Sequence, residues 1–141
     1  MAAKPIPDGY HSVTPYLVVK GVRKLLDFVT QAFGAEIKFQ MPQPDGEIAH
    51  AEFRVGNAMV MCGSASDEHP PQPAMLYLYV TDVDAVFQKA VAAGGEVVRP
   101  VTDQFYGDRS GGLKDPCGNQ WWVATHIEDV SMEEMAKRAA A

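Results

Sequence analysis

The sequence predicts an α+β fold in which two βαβββ modules form one curved mixed sheet around a cavity, with the helices outside and a short C-terminal helix. Two observations support this prediction. Residues of a strand and the following helix recur 61 positions later: Tyr16, Val19, Val22 and Gly34 return as Tyr77, Val80, Val83 and Gly95. Further along, Gly56-Asn57 returns 62 positions later as Gly118-Asn119, each time before an apolar segment. One module cannot bury both faces of its sheet alone, so the two copies are expected to combine.

The first module spans about residues 10–66 and begins with the alternating strand pattern SVTPYLVV. An amphipathic helix follows and ends at Gly34, because apolar residues recur there at helical spacing. That stripe consists of Val22, Leu25, Leu26, Val29 and Phe33. Three strands complete the module, and Gly56-Asn57 is typical of the hairpin turn that enters the last of them.

The second module spans about residues 74–127 and repeats this order, from the strand AMLYLYV through a helix that ends at Gly94-Gly95. The Pro-rich segment DEHPPQPAM suits neither a helix nor a central strand, so residues 67–73 are interpreted as the linker. Ser131 and Glu134 have capping-box spacing, which predicts a helix over about residues 131–140. The whole chain of 141 residues has the length of a single domain.

Composition limits the possible partners and the cellular location. The net charge of -6 argues against nucleic-acid binding, which depends on basic surfaces. No segment approaches the roughly 18 apolar residues that a membrane-spanning helix needs, and the N-terminal segment has no apolar signal core. Cys62 and Cys117 lack a CxxC partner, which favours reduced thiols. We therefore expect a cytoplasmic protein that binds neither nucleic acid nor membranes.

Four segments of the chain resemble the vicinal oxygen chelate superfamily of glyoxalases, bleomycin-resistance proteins and extradiol dioxygenases, and in particular its PhnB-like branch. They are TPYLVVKG, AFGAE, HAEFRVGNAMVM and YGDRSGGLKDPCGNQWW, and the resemblance covers about residues 10–130. The resemblance implies the fold predicted above and a homodimer. It does not decide the chemistry, because the superfamily includes metal-dependent lyases, isomerases and dioxygenases beside proteins that only sequester a drug.

The resemblance also implies where the ligands of a divalent metal lie, one on the first strand and one on the last strand of each module. In this chain these positions fall at Thr14, Met75, Trp122 and Val60, with Met61 as the neighbouring alternative to Val60. Zinc, nickel, iron and manganese prefer imidazole or carboxylate ligands, which these residues do not supply. We therefore expect no metal cofactor at the usual positions.

The same positions suit a cavity for a small, partly apolar ligand. Trp122 would place a large aromatic ring where the metal would lie, with Met75 opposite. Tyr16 and Tyr77 share strand parity with Thr14 and Met75, so they are predicted to line the cavity. The alternative is that these side chains fill the cavity themselves, which predicts that no pocket is present.

Arg109 in the segment GDRSGG is a further candidate for ligand binding. A guanidinium at the rim of a cavity can bind a carboxylate or phosphate through two hydrogen bonds. The alternative is a structural ion pair with Asp108 or Asp115.

The second functional hypothesis is a metal-dependent enzyme with a relocated metal site. His126 shares strand parity with Trp122, and His50 begins another strand. With Glu47 or Glu52, they supply the imidazole and carboxylate groups that Zn, Ni, Mn or Fe would need. This hypothesis predicts a glyoxalase-like lyase, an isomerase or a dioxygenase. The first hypothesis, a small-molecule-binding or sequestering protein of the glyoxalase/bleomycin-resistance type, accounts better for the residues at the four metal positions.

Overall fold

Each repeat folds into a four-stranded mixed sheet with one helix, in a computed structural model that describes residues 2–141. The first module contains β1 (Tyr16–Val19), α1 (Val22–Phe33), β2 (Glu36–Pro42), β3 (Ile48–Val55) and β4 (Ala58–Ser64). The second contains β5 (Met75–Tyr79), α2 (Val83–Ala92), β6 (Glu96–Asp103), β7 (Asp108–Lys114) and β8 (Gln120–His126). The C-terminal helix α3 covers Met132–Ala140.

The two sheets share one topology, β1-β4-β3-β2 in the first module and β5-β8-β7-β6 in the second. The first strand of each module pairs with the last in parallel, and the other neighbours are antiparallel. This confirms the α+β class, the two βαβββ modules and the C-terminal helix. The strands form two separate hydrogen-bonded ladders, and α1 packs against α2 where the modules meet.

One hydrophobic core on the helix side of the sheets joins the modules. The buried stripe of α1 packs against β3 and β4, where Phe53 and Val60 are almost fully inaccessible to solvent. Phe87 of α2 and Trp121 of β8 belong to the same cluster. Burial of one large apolar side chain stabilises a fold by about 1.5–3 kcal/mol, so this shared cluster ties the modules together.

The helix ends agree with the sequence signals. Gly34 adopts a left-handed conformation with φ 65° and ends α1, and its N–H donates to the carbonyl of Thr30. The Ser131 hydroxyl accepts from the N–H of Glu134 at 3.1 Å at the start of α3. Glu134 turns its carboxylate to Arg138 instead of completing the capping box. None of the helices formed by residues 2–141 combines the length and apolar character needed to cross a bilayer.

The turn between β7 and β8 is organised by the buried carboxylate of Asp115, which is 5% exposed. Its Oδ1 accepts from the N–H groups of Cys117 and Asn119 at 2.8 and 3.0 Å. Its Oδ2 accepts from Asn119 Nδ2 at 3.1 Å and from Trp121 Nε1 at 2.9 Å. Asn119 Oδ1 then accepts from the N–H of Ala74 at 2.9 Å. The DPCGN segment is therefore a structural turn that also positions the start of β5.

We predict that Asp115→Ala lowers the free energy of unfolding by about 3 kcal/mol or more, because each buried donor left without an acceptor costs about 1–3 kcal/mol. Urea unfolding followed by tryptophan fluorescence measures this. The control is Asp67→Ala at an exposed linker position, where we expect a change of about 0.5 kcal/mol or less. A loss below about 1 kcal/mol at Asp115 would show that the turn is held in another way.

Candidate functional site

Each sheet has one face toward the helices and an opposite face, which we call the cup. Residues paired across neighbouring strands share a face, so the strand register assigns each side chain to one side. A Cβ atom at Gly111 would lie 2.9 Å from the Phe87 ring of α2, on the helix side. A Cβ atom at Gly112 would lie 2.8 Å from the Trp122 ring, on the cup side. Trp122 therefore belongs to the cup, as its predicted strand parity requires.

The register corrects one of the four positions that the resemblance implied. Tyr16 pairs with Met61 in the first sheet, as Tyr77 pairs with Trp122 in the second. Met61 is thus the counterpart of Trp122, whereas Val60 is 3% exposed and lies in the core. The assignment to Val60 is wrong because the β7–β8 turn is longer than the β3–β4 turn, so the 62-residue offset of the turns does not hold inside the strands.

Trp122 and Arg99 form a stacked pair on the cup face of the second sheet. The indole ring lies over Gly112, and the guanidinium carbon of Arg99 is 4.9 Å from its centroid. Arg99 Nη2 donates to the carbonyl and hydroxyl oxygens of Ser110 at 2.5 and 2.6 Å. Trp122 Nε1 donates to Gln120 Oε1 at 3.1 Å. These contacts hold a planar cation against an aromatic ring, a stabilising arrangement.

Asp108 is the centre of a polar network farther along β7. Its side chain is buried, and its Oδ2 accepts from the hydroxyls of Tyr77 and Tyr79 at 2.7 and 2.8 Å. Its Oδ1 lies 2.8 Å from His126 Nδ1. Burial acts to raise the pKa of Asp108, but the hydrogen bonds from Tyr77, His126 and Tyr79 outweigh it and hold the pKa below its usual value. The carboxylate therefore stays ionised inside the network.

The tyrosines of this network keep their protons. Burial and then the hydrogen bond to Asp108 raise the pKa of Tyr77 well above its ordinary range. The hydrogen bond to Asp108, and then burial, raise the pKa of Tyr79. Both phenols therefore act as hydrogen-bond donors at neutral pH.

His126 lies between two carboxylates at the rim of the cup. Its Nδ1 contacts Asp108 and its Nε2 lies 2.8 Å from Asp129 Oδ1. The bonds to Asp108 and then to Asp129 raise the pKa of His126, because both ring nitrogens can donate only in the protonated imidazole. His126 thus links β8 to the segment that leads to α3.

The first sheet carries a separate polar network on its cup face. Tyr16 Oη lies 3.0 Å from His50 Nδ1, and His50 Nε2 lies 2.8 Å from Glu52 Oε2. The imidazole therefore joins a phenol to a carboxylate. His50 and His126 lie in different networks on different sheets, and Glu47 is not among the hydrogen-bond partners of His50.

A cavity of about 370 Å³ lies where β1 and β5 approach each other. Its lining is mainly apolar and comes largely from helix-side residues such as Val55, Val60, Leu76 and Trp121, together with Tyr16, Met75 and Tyr77, but not from Trp122. Three of the predicted ligand-binding residues, Tyr16, Met75 and Tyr77, are thus brought together, and the cavity is open. Thr14 is half-buried in the segment before β1. The alternative in which side chains fill the cup around Trp122 stays a prediction, because Trp122 does not line this seam.

Arg109 lies on the helix side of the second sheet, outside the cup. Its Nε and Nη2 donate to the two carboxylate oxygens of Asp84 at 2.9 Å, and its Nη1 donates to Asp103 at 2.9 Å. The ion pair with Asp84, followed by that with Asp103, raises the pKa of Arg109. Arg109 therefore joins α2 to β7 through an ion pair. Its partners are not Asp108 or Asp115, the two that the sequence suggested. This corrects its predicted position in the cavity.

The residues present do not fit the metal centre that the resemblance implies. Thr14, Met61, Met75 and Trp122 include neither imidazole nor carboxylate. Within residues 2–141, no three His, Cys, Asp or Glu side chains are grouped as a metal site requires.

The sequence analysis did not predict that Arg99 and Asp108 lie on the cup face. Asp108 was considered only as a partner of Arg109, although its place one residue earlier puts it on the opposite face. Arg99 is paired with Gly112, but the β6–β7 register shifts on both sides of it. Counting alternate residues along β6 therefore does not show which face Arg99 lies on. The face follows from the pairing of Arg99 with Gly112, which in turn pairs with Trp122.

Comparisons with known proteins identify the class of protein to which this fold belongs. Residues 9–123 match the Glyoxalase/Bleomycin resistance protein/Dioxygenase superfamily. An uncharacterized protein of Mycobacterium bovis is 36% identical over 135 residues, which cover 88% of this chain and 89% of that protein. The chain belongs to the glyoxalase/bleomycin resistance protein/dioxygenase superfamily.

Solved structures show the same fold. TioX from Micromonospora sp. ML1 has a TM-score of 0.72 and 24% identity, covering 83% of this chain and 99% of TioX. The PhnB protein from Bacillus cereus has a TM-score of 0.66 and 23% identity, covering 82% of this chain and 99% of PhnB.

We predict that His126 makes the stability of the protein depend on pH. Because its folded pKa lies above the ordinary value of 6.5, its contribution is present below that pH and is lost as the pH rises through the folded pKa. Thermal unfolding of the wild type and His126→Gln between about pH 5 and about pH 9 measures this, and the difference in Tm should shrink toward high pH. A difference that does not vary with pH would contradict the prediction.

Proposed function

We propose that the chain binds and sequesters a small, flat and partly apolar molecule in the cup. The observation that carries this proposal is the Trp122–Arg99 stack at a position where the superfamily resemblance would place a metal ligand. An indole and a guanidinium both accept flat rings against their faces or edges. The apolar cavity beside Tyr16, Met75 and Tyr77 supplies further contact area.

The proposal includes no divalent metal at the usual positions. It is supported by the donor chemistry of Thr14, Met61, Met75 and Trp122, which offers no imidazole or carboxylate. The imidazoles of His50 and His126 are each already engaged by a carboxylate and lie in separate networks. No observation favours the catalytic alternative over binding.

The proposal also places the protein in a reducing, cytoplasmic environment. Burial raises the pKa of the Cys62 thiol to about 12, and burial with the nearby Asp115 raises that of Cys117 to about 11. Both cysteines are free. Thiols with such high pKa values hold little thiolate at neutral pH and react slowly.

A homodimer completes the proposed binding site. Four large side chains on the edge strands β1 and β5 are strongly exposed: Tyr16 at 50%, Met75 at 68%, Tyr77 at 44% and Tyr79 at 60%. A contiguous exposed apolar patch favours a protein partner, and closed two-fold association is the commonest arrangement. A second copy placed on this patch would cover the open cup.

We predict that the purified chain sediments at about twice its monomer mass of 15.3 kDa. Met75→Glu should shift the equilibrium toward monomer by about tenfold or more, because it buries a charge in the interface. Met132→Glu, at an 88% exposed position on α3, is the matched control. A wild-type chain that remains monomeric at every concentration would refute the dimer.

We predict that the neutral aromatic probe N-phenyl-1-naphthylamine binds the protein and that Trp122→Ala weakens this binding by about tenfold, since aromatic contacts contribute about 0.5–1.5 kcal/mol beyond the burial of area. Probe fluorescence and tryptophan quenching report binding. Dialysis against EDTA should leave the affinity unchanged, because no metal holds the probe.

Two controls accompany this measurement. Trp122→Phe keeps an aromatic ring and should retain most of the affinity. Phe105→Ala removes an aromatic side chain that is 46% exposed in the β6–β7 turn and should have no effect. Equal affinity of the wild type and Trp122→Ala, with both variants folded, would overturn the assignment of the site, and loss of binding after EDTA treatment would overturn its metal-free character.

A further inference from the structure

In the part of the chain that the structure describes, three of the other four arginines are paired with a carboxylate, whereas Arg99 is not. Arg54, Arg109 and Arg138 each form a salt bridge with at least one Asp or Glu. Among residues 2–141, Arg99 forms no salt bridge, and its side-chain Nε is buried without a hydrogen-bond acceptor. That Nε is enclosed and out of reach of a ligand, but Nη1 is not enclosed and also has no hydrogen-bond acceptor among the described residues, so an acceptor supplied by a ligand could bind there.

The neighbours of Arg99 hold it in place without neutralising its charge. Nη2 is held by both oxygens of Ser110, and the guanidinium carbon lies 4.9 Å from the centroid of Trp122. Neither neighbour carries a formal charge. The planar cation is therefore oriented before a ligand arrives, and ordering it on binding costs little side-chain entropy.

The negative charge nearest along β7 is shielded from this position. Asp108 lies on the same face as Ser110 and Gly112, because these three residues alternate along the strand. Both of its carboxylate oxygens are occupied, by the hydroxyls of Tyr77 and Tyr79 and by the imidazole of His126. Asp108 is thus not available to pair with Arg99.

We propose that the molecule bound in the cup is an aromatic anion, whose carboxylate, sulfonate or phosphate group binds Arg99 while its ring lies against Trp122. This inference rests on the proposed function and adds the charge class of the ligand. An oxyanion would accept from the guanidinium edge that Ser110 leaves open, and charge-assisted bonds of this kind are about twice as strong as neutral ones. The flat ring would contact the indole and the apolar seam at Met75 and Tyr77.

The test compares two probes with the same aromatic skeleton, the anionic 1-anilinonaphthalene-8-sulfonate and the neutral N-phenyl-1-naphthylamine. We expect the wild type to bind the anionic probe about tenfold more tightly than the neutral probe, and Arg99→Gln to bring the ratio of the two affinities to about one. Arg23→Gln on α1 is the matched control and should preserve the preference, because Arg23 lies on another element and donates to the Gly46 carbonyl.

A measurement on the wild type keeps the proposal open to refutation if Arg99→Gln does not fold. Raising the NaCl concentration from about 0.05 M to about 0.5 M should weaken binding of the anionic probe and leave binding of the neutral probe unchanged, because salt screens the charge on Arg99. Equal affinity for the two probes, or a preference that survives Arg99→Gln, overturns the assignment to Arg99 and leaves the proposed function standing. Failure of both probes to bind overturns both.

Discussion

The buried carboxylate of Asp115 is the interaction on which the geometry of the second module depends. It accepts from two backbone N–H groups of its own turn, from the Asn119 amide and from the Trp121 indole. Asn119 then fixes the first residue before β5. Since β5 and β8 carry Tyr77 and Trp122, this carboxylate helps to position two of the strands that contribute side chains to the cup. Removing it would affect both the core side and the ligand side of β8.

The fold could be predicted because the repeat, the helix stops and the hairpin turns are local signals that agree with each other. The 61-residue offset describes the paired strands well: Tyr16 with Met61 corresponds to Tyr77 with Trp122. The 62-residue offset describes only the turns. Val60 was assigned to the cup face because a turn was used to count into a strand, and a single-residue slip moves a side chain to the opposite face.

The site could be predicted only in part, because strand parity locates side chains but not their partners. Parity was sufficient for Tyr16, Tyr77 and Trp122, which lie on regular strands. Arg109 follows Asp108 directly and therefore lies on the other face, where Asp84 of α2 meets it. That partner is separated by 25 residues and depends on how α2 packs, which no local pattern of GDRSGG contains. Arg99 was missed because β6 is irregular on both sides of it.

The cup faces of the two sheets differ in charge, and this difference follows from their pairings. In the first sheet, Arg54 pairs with Glu36 and His50 contacts Glu52, so each basic group has an acidic neighbour. In the second sheet, the acidic group Asp108 is satisfied by three donors, while Arg99 contacts only uncharged oxygens and an aromatic ring. A low local dielectric constant strengthens the electrostatic attraction between an unpaired charge of this kind and an opposite charge. The module repeat thus supplies two similar faces, and, within residues 2–141, differences in a few polar residues leave an unpaired cation only on the second one, where we propose that the anion binds.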